Sequence, residues 1–470
     1  MASERMESEE FLVIRTSRGL SLLDDPMQIS IYKAVSEIPG RPNDLSAKFN
    51  IPSSSLQFNI NKMLTSGTIE RVKLEDNRKS VYYSARGQIL MRSSCPDHAS
   101  FQGLIESFSG ERITESRLSF ILTECMSSIG LDLLPMIDDY IISFADEASE
   151  GMTSETVEDA VIEMKRLMKK YCGSVEVSVF GFNPLIIIVS GDSTMPSCVK
   201  QVSNLICRWI CNISGQEFVL NGLSDMPTSK SDHKYKLQYN RVPKCMTPCS
   251  TIDEENKESE RFYMALTNEG LKIVRSGIRA DIVGSIRHRP MNMSEIVQAT
   301  KSPRSTVVSN VSRMLEEGFL TSFEEGYDTV HYGIGCDILL DNHGTEDTST
   351  GFSHSFTDHG LLEGGYRYIC SRLESIGFDP TTMMYQCGRL FARNDNTPIK
   401  SASDLMKRMG ADMSHSDDTM SLLTVMSADD KVMDRYKASF VYGSLMEVCG
   451  KGSNKTPTYV GDTSNGNVTI

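Results

Sequence analysis

Between Ser53 and Ser66 the chain reads SSSLQFNINKMLTS, with Gln57, Asn59 and Asn61 interleaved among apolar residues. A carboxamide carries a donor and an acceptor side by side, which matches the major-groove edge of adenine. Ser55 adds a hydroxyl and Lys62 a cation. Just downstream, Arg71, Lys73, Arg78 and Lys79 lie in RVKLEDNRKS. Cations beside amide side chains suit contact with phosphates, which fixes register while base edges carry sequence information. The plainer reading is a solvated helix face followed by an ordinary charged hairpin.

A second set stands 251 residues on. Gly67 aligns with Gly318, Pro52 with Pro303, Asn59 with Asn310, Met63 with Met314 and Lys62 with Arg313. The same gapless register matches Phe11 to Phe262, Thr16 to Thr267 and Gly19-Leu20 to Gly270-Leu271. Arg304, Ser305, Ser309, Asn310 and Arg313 form the comparable polar set. A repeat period this long predicts duplicated domains rather than a solenoid.

Thiols are the other reactive groups. The chain holds 12 Cys in no compact framework. Cys207 and Cys211 sit one helical turn apart in an apolar segment that also carries Cys198 and Trp209, the only Trp. Two readings stand: buried core thiols, or a redox- or ligand-sensing site formed by Cys198, Cys207, Trp209 and Cys211. Cys245 and Cys249 fall in a polar stretch, where oxidation is easier. No Walker loop, dinucleotide glycine fingerprint, HExxH or GxSxG motif occurs, and the eight His are scattered. The expectation is a non-enzyme with no catalytic residues, no metal site and no cofactor.

These groups need elements to position them. Leu56, Ile60, Met63 and Leu64 follow helical spacing, and Gly67 ends that helix. Before it come an amphipathic helix through Ile29, Ile31, Tyr32, Val35 and Ile38, then a short helix and the turn IPSSS. After it, TIERVKL and SVYYSA read as a β-hairpin around the tip EDNRK. The order resembles the winged helix-turn-helix of prokaryotic and archaeal transcription regulators of the ArsR/MarR-like group. MLTSGTIERV carries the likeness best, and MLEEGFLTSF repeats it. The resemblance implies that the polar helix face reads double-stranded DNA while nearby cations hold phosphates.

A different repeated unit follows. Phe120–Glu147 resembles Tyr368–Asn394, with Ser128-Ile129-Gly130 matching Ser375-Ile376-Gly377. VEVSVFGFNPLIIIVSGD reads as two strands about Asn183-Pro184, and the segment from Met195 as a helix closed by Ser214-Gly215. Leu422–Asp429 matches Leu185–Asp192. The stripe Val157, Val161, Met164, Met168 and Tyr171 predicts core packing rather than a cofactor site. NPLIIIVSG followed by a helix ending ISGQEF resembles the 4-vinyl-reductase-type small-molecule-binding domain. The cysteine cluster that often ends that family is missing from NGLSDMPTSKSDHKY, the equivalent end here, so its metal or redox site does not carry over.

The expected fold class is α+β in two tandem copies: winged helix at 1–95, sensor-like domain at 100–225, linker at 226–258, winged helix at 259–342, sensor-like domain at 356–450 and a frayed tail at 451–470. Such a chain acts as a monomeric pseudo-dimer, or dimerises again. The expected function is transcription regulation through duplex binding, with a small-molecule or redox effector. The alternative is a protein-interaction scaffold. A charged start and no apolar run longer than PLIIIVSG predict no membrane segment and a cytoplasmic location. The net charge of −14 argues against nonspecific nucleic-acid binding by the whole surface. From Asp25 to Arg92 there are ten Lys+Arg and six Asp+Glu, against six and eight from Arg279 to Leu340. The first winged unit is therefore expected to bind phosphates better than the second, whose hairpin carries Glu324, Glu325 and Asp328.

Overall fold

The computed structural model describes residues 10–16, 19–74, 77–107, 115–173, 175–191, 195–226, 233–242, 262–267, 269–275, 277–287, 289–324, 329–341, 355–357, 361–394, 411–416, 419–424, 431–450, 460–462 and 467–469. It is a mixed α+β chain with several small antiparallel sheets.

The first half opens with β1 (Leu12–Thr16) and β2 (Gly19–Leu23). Helix α1 (Pro26–Glu37) starts on Asp25, whose carboxylate accepts from the amides of Met27 and Gln28 at 2.9 and 3.1 Å. Pro26 occupies the first turn, where a missing N–H costs nothing. Helix α2 (Pro42–Phe49) ends on Asn50 at φ 50°, a left-handed residue that turns the chain into α3 (Ser53–Ser66). Gly67 at φ 75° stops α3 and hands on to the hairpin of β3 (Ile69–Leu74) and β4 (Asn77–Ala85). Strand β5 (Gln88–Ser93) then returns to β1.

Next come α4 (His98–Ser107), α5 (Glu115–Ser128), β6 (Leu131–Asp132), α6 (Leu134–Ala148) and α7 (Val157–Tyr171). They are followed by β7 (Glu176–Phe182), β8 (Leu185–Gly191), α8 (Met195–Ser214), β9 (Glu217–Met226) and β10 (His233–Val242). Sheet orders are β2-β1-β5-β6 and β7-β8-β10-β9. Alternation along β8, with Leu185, Ile187 and Val189 buried, sets one sheet face against α8.

The second half has β11 (Phe262–Thr267), β12 (Gly270–Arg275), α9 (Ile278–Ile286), β13 (Met291–Asn292), α10 (Met293–Thr300) and α11 (Arg304–Glu316). Then follow β14 (Leu320–Glu324), β15 (Val330–Ile334), β16 (Asp337–Asp341), α12 (Leu361–Ser375) and α13 (Pro380–Asn394). It ends with β17 (Ala411–Ser416), β18 (Thr419–Thr424), α14 (Lys431–Gly450), β19 (Val460–Asp462) and β20 (Asn467–Thr469).

The halves repeat in detail. Sheet β12-β11-β16 matches β2-β1-β5, and β17-β18-β20-β19 matches β7-β8-β10-β9. The register shift between β1 and β5 falls at Val13/Ile14; that between β11 and β16 falls at Met264/Ala265, 251 residues later. Lys301 repeats the left-handed turn of Asn50, with φ 51°. A bulge and a left-handed turn thus recur at equivalent positions of the two halves.

Three expectations change. Strands β1, β2 and β5 form a sheet apart from the hairpin, and the hydrophobic pattern did not separate it. Strand β10 lies within the segment read as linker, because Leu237 and Tyr239 complete the sheet core. The tail read as frayed supplies β19 and β20, and β20 pairs with β18.

One core joins the halves. It gathers Phe11, Val13, Leu90 and Met91 with α5 residues Ile121, Leu122 and Cys125, and with Phe262, Met264, Ile369, Met384, Cys387 and Phe440. Arg275 of β12 reaches Asp24 at 2.5 Å, next to the end of β2. Glu147 of α6 accepts from the Phe356 amide at 2.9 Å, the Thr357 amide at 3.2 Å and the Thr357 hydroxyl at 2.7 Å, and also from the Ser355 hydroxyl. Burial opposes the Glu147 charge, but these hydrogen bonds outweigh it and hold the carboxyl below its ordinary value. No helix among the described residues is long and apolar enough to cross a membrane.

Candidate nucleic-acid interface and thiol pair

Helix α3 buries Leu56, Ile60 and Met63 against Ile29, Tyr32 and Val35 of α1. Its outer side carries Ser55, Gln57, Phe58, Asn61 and Lys62, all exposed. Gln57 donates to Asn61 at 2.8 Å, one turn on, so the two amides form a single hydrogen-bonding strip. The turn between α2 and α3 opens into a groove of about 610 Å³ whose walls include Asn43, Ser46, Asn50 and Ser53. Pro52 caps α3 without a side-chain hydrogen bond, so the first turn of α3 lacks a protein anion at its positive end.

The hairpin adds Arg71 and Lys73, both exposed. Nearby Arg41 pairs with Asp44 at 2.8 Å and lies over the Tyr82 ring at 5.8 Å. The side chains of Arg78 and Lys79 lie outside the described residues, although their backbone belongs to β4.

Asn59 corrects the expected reading set. It is 8% exposed, accepts from Gln28 Nε2 at 3.2 Å and donates to the Ser55 carbonyl at 3.1 Å. It lies at the edge of the buried stripe, next to Met63 on the helix circumference, where Gln28 of α1 reaches it. Phe58 is the residue the sequence reading missed. It is 70% exposed, an isolated aromatic in the middle of the polar strip. Its one-residue offset from the apolar stripe was the available signal.

In the second half Arg304, Ser305 and Arg313 are exposed on α11, and Asn310 is half-buried and donates to the Thr306 carbonyl at 2.8 Å. Arg313 is held by Glu317 at 2.9 Å, and Arg279 also pairs with Glu317. Arg304 occupies the first turn of α11, the positive end of the helix, where a cation is unfavourable without an anion. Val308, Phe323 and Val330 are exposed apolar residues on this unit. Phe323 stacks on His331 at 6.2 Å, Glu324 is exposed, and Glu325 and Asp328 lie outside the described residues.

The four sensor candidates do not form one site. Trp209 is fully buried near Phe144 and Tyr171 in the core beneath the sheet. Cys198 is buried near Cys172 instead, the neighbour that helps push the Cys172 thiol up to about 12, after burial itself. Cys207 and Cys211 do meet. The Cys207 thiol donates to the Phe218 carbonyl at 3.2 Å, and the Phe218 amide donates to Cys211 Sγ at 3.3 Å. The interaction between the two sulfurs raises Cys207 and lowers Cys211. Burial raises both, and the Phe218 amide further favours the Cys211 thiolate. Cys245 and Cys249 lie outside the described residues. Among the described residues no three His, Cys, Asp or Glu side chains converge as a metal site.

No protein-family model, curated protein or solved structure matches the chain.

Proposed function

We propose that this protein is a sequence-specific, double-stranded-DNA-binding transcription regulator. Two winged helix-turn-helix units stand on one shared core, so the chain is its own pseudo-dimer, and its remaining α+β portions receive a small-molecule or redox effector. The observation that carries the reading is the outer strip of α3. Gln57 and Asn61 offer linked donors and acceptors, Lys62 adjoins them, and Arg71 and Lys73 flank them on the hairpin. That arrangement can track phosphates while presenting amides to base edges. The uncapped start of α3 and Arg304 at the positive end of α11 both favour an anion there.

Genomic fragments captured by the full chain supply the duplex, and its affinity is then followed against salt. Arg71→Ala with Lys73→Ala should weaken binding to every sequence and lower the log–log salt slope by about two, since each phosphate a cation neutralises adds about 0.9 to that slope. Arg304→Ala with Arg313→Ala should cost less, because Glu317 already engages Arg313. A slope that neither pair alters would refute phosphate binding by these faces. A second reading, a scaffold that binds protein, is favoured by exposed Phe58, Val308, Phe323 and Val330. It predicts salt-insensitive capture of a partner and no duplex binding.

A further inference from the structure

We propose that Cys207 and Cys211 are a peroxide-responsive thiol pair: a hydroperoxide oxidises Cys211, and Cys207 then closes an intrahelical disulfide onto it. The two residues lie one turn apart on α8, and both sulfurs address the same residue of β9, Phe218, at 3.2 and 3.3 Å. Helix rise and radius put their Cα atoms about 6 Å apart, inside the ~4.4–6.8 Å window that a disulfide spans. Their Cβ atoms, about 6 Å apart on a regular helix, must close to the ~3.5–4.5 Å a disulfide needs, so closure distorts the turn of α8 that carries Arg208. Both side chains are half-buried, within reach of a small oxidant. Cys125, Cys172, Cys198, Cys370 and Cys387 are buried, and Cys95 is exposed.

Cys211 Sγ accepts from the Phe218 amide at 3.3 Å, which stabilises a thiolate there, whereas the Cys207 thiol keeps its proton on the Phe218 carbonyl at 3.2 Å. Arg208 beside the pair favours that thiolate and Glu217 opposes it. The Cys211 thiolate attacks one peroxide oxygen. The O–O bond breaks, Cys211 becomes a sulfenic acid, and the departing hydroxide takes up a proton to leave as water. Cys207 sulfur then attacks the Cys211 sulfur, the S–O bond breaks, and the Cys207 proton leaves with that oxygen as a second water. Two electrons pass from the two thiols to the peroxide.

Closure removes the Cys207 donor from the Phe218 carbonyl and the thiolate acceptor from its amide. Arg208, between the two cysteines, holds Asp146 at 2.7 and 2.9 Å, and the next residue is Glu147, which binds residues 355–357 of the second half. The change thus adjoins the joint between the halves. Its effect on duplex binding rests on the regulator reading above; the thiol chemistry does not.

The test uses the full chain with Cys95, Cys245 and Cys249 changed to Ser, treated with hydrogen peroxide and digested with trypsin. Cleavage after Arg208 separates the pair, so a disulfide must join the peptide Gln201–Arg208 to the one starting at Trp209. The expected result is that linked product, absent after reduction. Cys207→Ser should stop at a sulfenic acid on Cys211 that dimedone traps, and Cys211→Ser should leave Cys207 unlabelled. Absence of the linked peptides while Trp209 emission stays native would overturn the proposal, as would equal dimedone labelling of Cys207 in Cys211→Ser. Peroxide should also change affinity for a captured duplex by about fivefold or more, a change absent in Cys207→Ser. Linked peptides in a chain that binds no duplex would uphold the thiol pair and refute the regulator reading.

Discussion

Gly388 and Gly443 face each other where α13 crosses α14, and alanine at either should open that crossing. A Cβ on Gly388 would lie 2.0 Å from the Phe440 carbonyl oxygen, and one on Gly443 would lie 2.0 Å from that of Tyr385. Real Cβ atoms essentially never approach closer than 3.0 Å, so the backbones must part by at least 3.0 − 2.0 = 1.0 Å. Neither obstacle is a side chain that can swing away. The Ser444 hydroxyl also donates to the Gly388 carbonyl at 2.9 Å across this crossing. Overpacking of this kind costs about 3 kcal/mol at the upper end of its usual range, and alanine returns about 1 kcal/mol of helix propensity over glycine. Each single variant should therefore lose about 2 kcal/mol. One separation relieves both clashes, so the double variant pays for the opening once and gains propensity twice. It should lose about 1 kcal/mol, where additivity would give about 4. Denaturant unfolding followed by circular dichroism, with hydrogen exchange on α13 and α14 peptides, measures this. Single variants as stable as the parent, or a double variant that loses the sum, would refute the shared crossing.

Asn59→Ala should cost about 1–3 kcal/mol by stranding the buried Gln28 amide. Unfolding measurements should show much of that loss recovered in Gln28→Leu with Asn59→Leu, where both polar partners are gone. Glu147 has a depressed folded pKa, so its contribution is present above the unfolded value of about 4.3 and fades as pH falls through the folded value. Calorimetry should find Glu147→Gln less stable than the parent at neutral pH, with the gap closing in acid; a gap that widens in acid would contradict the assignment. Phe58 should touch thymine methyls on a bound duplex. Replacing those thymines by deoxyuracil should weaken the parent about fourfold, near 0.8 kcal/mol per buried methyl, and leave Phe58→Ala unaffected in anisotropy titrations.

The internal repeat is legible in the sequence alone, because a position whose packing or backbone admits one residue type shows that type in both halves. Gly67 and Gly318, both at φ 75°, and the paired turns at Asn50 and Lys301 are local backbone needs, written into single residues and legible without a structure. The helical stripe of Leu56, Ile60 and Met63 was legible for the same reason. Tertiary structure decided what no local pattern encodes. Asn59 is polar in type but inward in place, since Gln28, 31 residues away, satisfies it. Cys198 shares α8 with Cys207 and Cys211, yet only the latter two meet Phe218, because a helix spreads nine residues over more than two turns while four residues return to one side. Strands β19 and β20 read as a frayed tail until β18 provides their ladder, since strand pairing is a property of two segments and sequence composition describes only one.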